Sequence, residues 1–266
     1  MTEAEILFSQ ALNCDRMYLY RNRSLLLNTK ISSYISTVLK RRIQGEPIQY
    51  ILGNTEFMGL EFQVRPGVLI PRQETEILVE TVVKEVTKLQ SYNVTTLNLL
   101  DLGTGSGCIA ISLAKFLTNV KIDAIDISEA ALAIAKENAV INQVNERIAF
   151  IRADLFAPDP MRHMLYDFII SNPPYVASEQ ILKLQPEIAY EPKIALDGGE
   201  DGLDFYRRIA LSSGKYLKKK GILAMEIGCG QLEGIKNIFH KAKNFEIIEV
   251  IKDYNNIDRV VIIEKR

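Results

Sequence analysis

The chain has 266 residues, 47% hydrophobic and 24% charged, with 32 Lys and Arg against 33 Asp and Glu for a net charge of −1. This is the composition of a globular protein with ample chain for a core, which excludes a disordered chain and a disulfide-stapled mini-protein. A balance so near zero provides no global field for a polyanion, so tight, sequence-blind nucleic-acid binding is disfavoured.

Helical periodicity opens the chain: Ile31, Tyr34, Ile35, Val38 and Leu39 recur at i, i+3, i+4, i+7 and i+8, one apolar face of a helix. Residues 1–48 therefore read as a small helical domain, with Lys40-Arg41-Arg42 as the solvated end of a helix. The pattern breaks at Gly45-Glu46-Pro47, and Tyr50 to Val68 alternates short apolar pieces with Gly53-Asn54 and Gly59. Residues 49–70 read as a hairpin connector, and 71–266 as the main domain.

After Pro71 a helix is expected to about Leu89, its first turn carrying Glu74 and Glu76, whose charges suit the positive end of the helix dipole. Apolar runs then read as strands at Leu97-Leu102, Ile122-Ile127, Ile148-Ile151, Phe168-Ile170, Ile222-Ile227, Phe245-Val250 and Val260-Ile263, with helical patterns between most of them. Lys252 to Asn256 is too short for a helical crossover, so the last pair must be antiparallel. The fold class is α/β: a doubly wound, seven-stranded, mostly parallel sheet with an antiparallel last hairpin, which resembles the class I methyltransferase fold. Lys218-Lys219-Lys220 reads as a solvated turn within it.

The first of these strands runs into Asp101-Leu102-Gly103-Thr104-Gly105-Ser106-Gly107 and then into a helical pattern. Glycines there permit positive φ and let a ligand approach the backbone closely. The spacing is G-x-G-x-G, not the dinucleotide fingerprint G-x-G-x-x-G, which ranks S-adenosylmethionine above NAD. That ligand has no pyrophosphate; its methionine end lies against the loop, with Asp101 nearby. Asp126 closes the next strand, where a carboxylate can accept both ribose hydroxyls. Asp123 has the opposite strand parity and reads as a surface charge. Asp154 and Leu155, at the third strand end, are placed to meet the adenine.

Asn172-Pro173-Pro174-Tyr175 follows the fourth strand, at the carboxyl edge where open α/β sheets bind ligands. A planar amide or arylamine nitrogen is a poor nucleophile because its lone pair is delocalised. Asn172 Oδ1 and the Pro173 carbonyl can accept its two N–H bonds and aim the lone pair at a sulfonium methyl. The prolines stiffen the loop and Tyr175 can pack on the flat substrate group. The catalytic set is thus Asn172, Pro173 and Tyr175, with Pro174 added for substrate binding. Positioning carries the chemistry, and no general base is needed before transfer. His163 and His240 form no metal or triad spacing and read as bland surface or loop residues, so no metal site is expected. Cys14, Cys108 and Cys229 form no CxxC, which argues against a disulfide framework and for a reducing compartment. No leader pattern or ~20-residue apolar window is present, so a cytoplasmic protein with no membrane partner is expected.

At these residues the chain resembles the release factor glutamine methyltransferases. The resemblance runs through Gly45 to Gly53, Val68-Leu69-Ile70-Pro71-Arg72, Asp101 to Gly107, Asn172 to Tyr175, Tyr190-Glu191-Pro192 and Ala195 to Arg207. It implies methyl transfer from S-adenosylmethionine to the glutamine side-chain nitrogen in the Gly-Gly-Gln motif of class-1 peptide chain release factors. By the same resemblance Gly103, Thr104, Gly105, Ser106, Gly107, Asp126, Leu155 and Asn172 contact the cofactor, and the N-terminal helices grip the release factor. The chain departs from the family in having no Trp, Leu155 standing where a tryptophan is frequent beside the adenine, and in Gln73 within Pro71-Arg72-Gln73-Glu74-Thr75-Glu76. Asn-Pro-Pro-Tyr is shared with DNA adenine-N6 methyltransferases, which leaves an N-methyltransferase of adenine amines in nucleic acid as the alternative. Those enzymes usually add a target-recognition region and a basic surface. A non-catalytic scaffold would not need the intact reactive motif. A monomer with no stable nucleic-acid binding is expected, and the segment from Gln180 to Asp204 either closes over the pocket or braces the domains.

Overall fold

The computed structural model describes residues 2–90, 96–157 and 164–266. It opens with three helices, α1 (Glu3–Leu12), α2 (Arg16–Arg21) and α3 (Thr29–Ile43). Each starts on a side chain able to accept a free backbone N–H: Thr2, which completes a capping box with Glu5, then Asp15 and Asn28. Such caps are each worth about 1 kcal/mol. Leu7 of α1 and Ile35 and Val38 of α3 form a small core with Ile48, to which α2 adds no buried side chain. The apolar stripe read from the sequence is wider than the buried one, because Tyr34 and Leu39 stay exposed on α3 along with Ile43.

The connector is more regular than the sequence suggests. A short helix α4 (Ile48–Leu52), closed by Gly53 in the left-handed conformation, precedes the antiparallel hairpin of β1 (Asn54–Phe57) and β2 (Leu60–Gln63). Then come α5 (Gln73–Gln90), β3 (Leu97–Leu102), α6 (Cys108–Phe116), β4 (Val120–Asp126), α7 (Glu129–Ile141), β5 (Ile148–Arg152) and β6 (Tyr166–Ser171). A short α8 (Ser178–Ile181), then α9 (Asp204–Ser212), β7 (Leu217–Glu226), α10 (Leu232–Ala242), β8 (Phe245–Lys252) and β9 (Asp258–Lys265) complete the order.

The seven strands β3–β9 form one sheet in the order β5-β4-β3-β6-β7-β9-β8, parallel except where β9 lies antiparallel to β7 and β8. Both faces are covered, which is why its strands read as nearly unbroken apolar runs. On one face Leu97, Leu99, Ile122 and Phe168 pack with α5 and α6; on the other Leu100, Ile125, Ile169 and Leu223 pack with α9 and α10. The strand order reverses between β3 and β6, which opens a crevice at their carboxyl ends, where ligands bind in such folds.

The hairpin is fastened to α7 by two buried asparagines, of which Asn142, at the helix C-terminus, donates to the Glu61 carbonyl at 2.9 Å. Asn138 accepts the Gln63 N–H at 2.7 Å, donates to the Gln63 carbonyl at 3.0 Å and donates to the Ser106 carbonyl at 2.9 Å. A polar residue inside a helix thus joins the connector to the glycine loop with every donor satisfied. Asp123 does lie on the face opposite Asp126, yet it is not a bare surface charge: it is half-buried and accepts the hydroxyl of the buried Tyr166 at 2.5 Å. The first basic run ends α3 in ion pairs, Arg41 to Glu46 and Arg42 to both Glu3 and Glu187. The second run is not a turn but the first part of β7, and its Lys218 reaches Asp167 at 2.8 Å.

Candidate active site

The turn from β3 into α6 is built around two carboxylates with different tasks. Asp126, at the end of β4, accepts the Gly105 N–H at 2.9 Å through one oxygen and the Ser128 N–H at 2.8 Å through the other. It therefore ties the loop to the neighbouring strand end, and burial raises its pKa above the usual carboxylate value, against the pull of those N–H donors. Asp101 lies beneath the loop, fully buried, and accepts the Thr104 hydroxyl at 2.7 Å; among the described residues its second oxygen has no partner. Burial raises that carboxyl to about 7. Asp101 is therefore a prop for the loop and does not line the cavity above it.

That cavity, of about 210 Å³, is walled by Gly103, Gly105, Asp126, Asp154, Leu155, Asn172 and Pro174 among the residues picked from the sequence. Thr104, Ser106 and Gly107 are buried behind the loop, and Pro173 and Tyr175 stand outside the wall. The sequence reading missed several wall residues: Val68 and Leu69 of the connector, Ile127 and Ser128 after β4, Pro192, Ile194 and Ala195, and Arg208 on α9. Arg208 changes the Asp154 corner of the cavity, because its Nη2 donates to Asp154 Oδ1 at 2.7 Å, which leaves the other Asp154 oxygen for a ligand. The segment 180–204 supplies part of the wall and also braces the fold. Glu191 pairs with Arg72 at 2.5 Å, Glu187 with Arg42 at 2.9 Å, and the Tyr190 hydroxyl donates to the Gln44 carbonyl at 3.1 Å.

The glycines that follow explain why this segment can lie against Asn172–Tyr175. A Cβ on Gly202 would come within 2.4 Å of the Tyr175 carbonyl, and the residue has φ +75°; only glycine permits that approach. Gln231 then donates to both the Tyr175 and Gly202 carbonyls, at 2.8 and 3.2 Å. Val176 pairs with Asp197 as an isolated bridge. The loop is thus held from behind by backbone contacts.

Asn172 carries the orientation of the site. Its Nδ2 donates to the Thr75 hydroxyl at 3.0 Å, so its Oδ1 points the other way, and among the described residues no donor reaches that oxygen. Thr75 donates in turn to Glu226 Oε2 at 2.6 Å, and the Tyr175 hydroxyl donates to Glu226 Oε1 at 3.2 Å. Burial raises Glu226 to about 7 and also pushes the Tyr175 hydroxyl up. Neither Thr75 nor Glu226 was picked from the sequence. His163 lies outside the described residues, and His240 is exposed in the last turn of α10. Among the described residues no group of three or more His, Cys, Asp and Glu could hold a metal ion, and no helix is long and apolar enough to cross a membrane.

The cavity suits a nucleoside carrying an amino acid. A Cβ on Gly103 or Gly105 would meet nothing within 4 Å, so the loop leaves room for a ligand against its backbone. Asp126 offers carboxylate oxygens to hydroxyls, and Leu155, Ile127 and Phe205 offer an apolar slot.

Comparison with known proteins places the chain among methyltransferases. Residues 1–53 match a family described as PrmC N-terminal domain, and residues 72–200 match one described as Methyltransferase small domain. A protein of Thermodesulfovibrio yellowstonii named release factor glutamine methyltransferase is 42% identical over 264 residues, 99% of this chain and 92% of its own. Another of the same name from Geobacter sulfurreducens is 41% identical over 97% of this chain and 87% of its own. Among solved structures, the hMettl16 catalytic domain in complex with MAT2A 3'UTR hairpin 6 superposes with a TM-score of 0.60 at 20% identity, covering 84% of this chain and 83% of that one. At that identity the likeness is one of fold.

Proposed function

The chain belongs to the release factor glutamine methyltransferases, and on that premise we propose that the cavity between the glycine loop and Asn172 is where S-adenosylmethionine meets the glutamine side chain of a class-1 release factor. The observation that carries this reading is the Asn172 side chain, its amide nitrogen held by Thr75 and its oxygen unclaimed beside the cavity. When bound, S-adenosylmethionine supplies a methyl on a positively charged sulfur, so that the glutamine nitrogen forms the new N–C bond, the C–S pair leaves with sulfur and one N–H proton passes to solvent.

The protein's part is binding and orientation. The backbone of Gly103 and Gly105 lies against the methionine end, Asp126 accepts the ribose hydroxyls, and Asp154 and Leu155 meet the adenine. Thr104, Ser106 and Gly107 act from behind by keeping the loop in shape. Asn172 Oδ1 and the Pro173 carbonyl accept the two N–H bonds of the glutamine amide, which turns the nitrogen lone pair toward the methyl. Pro174 and Tyr175 confine the flat amide group. Positioning of this kind can supply several orders of magnitude in rate without any acid or base.

Residues 1–48 are the part we assign to gripping the release factor at a distance from its glutamine, joined by the 49–70 connector to the 71–266 methyltransferase domain. Leu26, 93% exposed, and Ile43, 84% exposed, give that region the apolar surface a protein partner needs. The adenine-directed alternative is not favoured, since the relatives carry the release factor name and the chain has a net charge of −1. The test is transfer of labelled methyl to a purified class-1 release factor, beside the same factor with its motif glutamine changed to alanine and beside duplex DNA. Label on the intact factor alone is the expected result; label on DNA would replace this reading with the alternative.

A further inference from the structure

We propose that Thr75 and Glu226 are positioning residues that dictate which end of the Asn172 amide faces the substrate. The inference rests on the reading of the site as a glutamine-amide methyltransferase and adds the reason that Asn172 presents its oxygen.

A threonine hydroxyl has one proton and two lone pairs. Thr75 lies 2.6 Å from Glu226 Oε2 and 3.0 Å from Asn172 Nδ2. An ionised carboxylate can only accept, so the Thr75 proton is committed to Glu226. What Thr75 then offers Asn172 is a lone pair, which only an N–H can satisfy. Asn172 must therefore turn its NH₂ inward and its oxygen outward. The glutamine amide arrives with two N–H donors, and a flipped Asn172 would set donor against donor. The polarity of the site is thus fixed by a carboxylate three hydrogen bonds from the substrate.

The relay joins three separate elements: Thr75 from α5, Asn172 from the end of β6 and Glu226 from the end of β7. Glu226 is 1% exposed, and the charged and titratable groups around it are Glu74 on α5, Cys108 on α6, Tyr175 after β6, Tyr206 on α9 and Arg259 on β9. Arg259 is the one cation of the set and is itself paired with Asp253 at 3.0 Å. Protonation of Glu226 would let it donate to Thr75 and free Asn172 to rotate. Burial places that event at about 7, so turnover should fall as pH drops through neutrality.

The experiment uses the full chain with a release factor substrate and measures kcat, KM for both substrates, binding of S-adenosylmethionine by calorimetry and melting. Thr75→Val, which keeps the shape and removes the hydroxyl, should lower kcat about 10²-fold, the scale of a misplaced reacting group, with cofactor affinity within about threefold. Thr75→Ser should restore kcat to within about fivefold of the parent. Glu226→Gln should flatten the acid limb of the kcat profile. In protein labelled with ¹⁵N-asparagine, with no substrate or cofactor added, the Asn172 side-chain amide signal should move in Thr75→Val; it is assigned by its absence in Asn172→Ala. Parent-like kcat in Thr75→Val, or an acid limb unchanged in Glu226→Gln, would overturn the relay while leaving the proposed function in place. Failure of the parent protein to methylate the factor would overturn that function itself. Should Thr75→Val not fold, the Glu226→Gln profile decides alone.

Discussion

Two glycines of one loop should fail in different ways when given a methyl group. Gly107 has φ +84°, and a Cβ there would lie 2.8 Å from Ile111 Cδ1, 3.1 Å from Ala135 Cβ and 3.3 Å from Ala135 Cα. Left-handed backbone costs an L residue roughly 1–2 kcal/mol, and forcing a methyl into a filled helix contact costs about 1–3 kcal/mol more. Gly107→Ala should therefore destabilise the fold by about 2–5 kcal/mol, which in a chain of this size is a fall of roughly 5–15 °C in Tm. Gly105 has φ +56° and its Cβ would meet nothing within 4 Å, while the residue lines the cavity. Gly105→Ala carries only the backbone cost, about 1–2 kcal/mol, but its methyl occupies space meant for the ligand. Melting without ligand and calorimetric titration with S-adenosylmethionine separate the two. Gly107→Ala should show the larger loss of Tm, and Gly105→Ala at least a tenfold weaker Kd. Equal melting losses, or parent-like affinity in Gly105→Ala, would refute the division of the loop into a packing end and a ligand end.

Stability should also fall with rising pH between 6 and 8. Asp101 and Glu226 are both raised by burial to about 7; a carboxyl raised on folding stabilises the native state below its unfolded value and loses that contribution as pH climbs through its folded one. Each group is worth about 1 kcal/mol across that window, so the ligand-free protein should melt several degrees lower at pH 8 than at pH 6, and Asp101→Asn should shrink the difference; a higher Tm at pH 8 would contradict this. Tyr166→Phe removes the hydroxyl donated to Asp123 but leaves that carboxylate partly in water; a loss of about 1 kcal/mol is expected by denaturant titration, with cofactor affinity intact because Asp123 lies on the face away from Asp126. Leu26→Asp with Ile43→Asp should raise KM for the release factor at least tenfold without moving the Kd for S-adenosylmethionine. An unchanged KM would remove the N-terminal helices from substrate recognition.

The sheet was legible because its determinants are local. The inner strands, buried on both faces, are apolar runs, and the five residues from Lys252 to Asn256 allow only a tight return, so the antiparallel direction of the last pair follows from the chain itself, whereas the order that puts β9 between β7 and β8 does not. The short helix α4 was not legible, since five residues after Pro47 carry too few turns for a period to show. The stripe on α3 is narrower than its period for a related reason: periodicity marks a face but not how much of it is covered, and here Tyr34 and Leu39 stay exposed.

The site divides along the same line. Residues that must occupy a fixed offset from a strand end, Gly103 to Gly107, Asp126 and Asn172, could be picked out by position alone. Those that act through a partner could not. Thr75 and Glu226 are 151 positions apart and meet only because α5 packs across β7. Asp123 was placed on the correct face by parity, but its partner Tyr166 comes from β6, two strands away across β3. Asp101 shows the converse. Its place at the strand end invited a ligand role, yet its side chain is drawn under the loop by Thr104. Sequence position thus identifies Gly103, Gly105, Asp126 and Asn172 as strand-end groups that line the cavity, whereas the groups that decide how those are turned belong to the packing. Asn172 is read from one strand end, but the direction of its amide is determined by two residues that no motif around it contains.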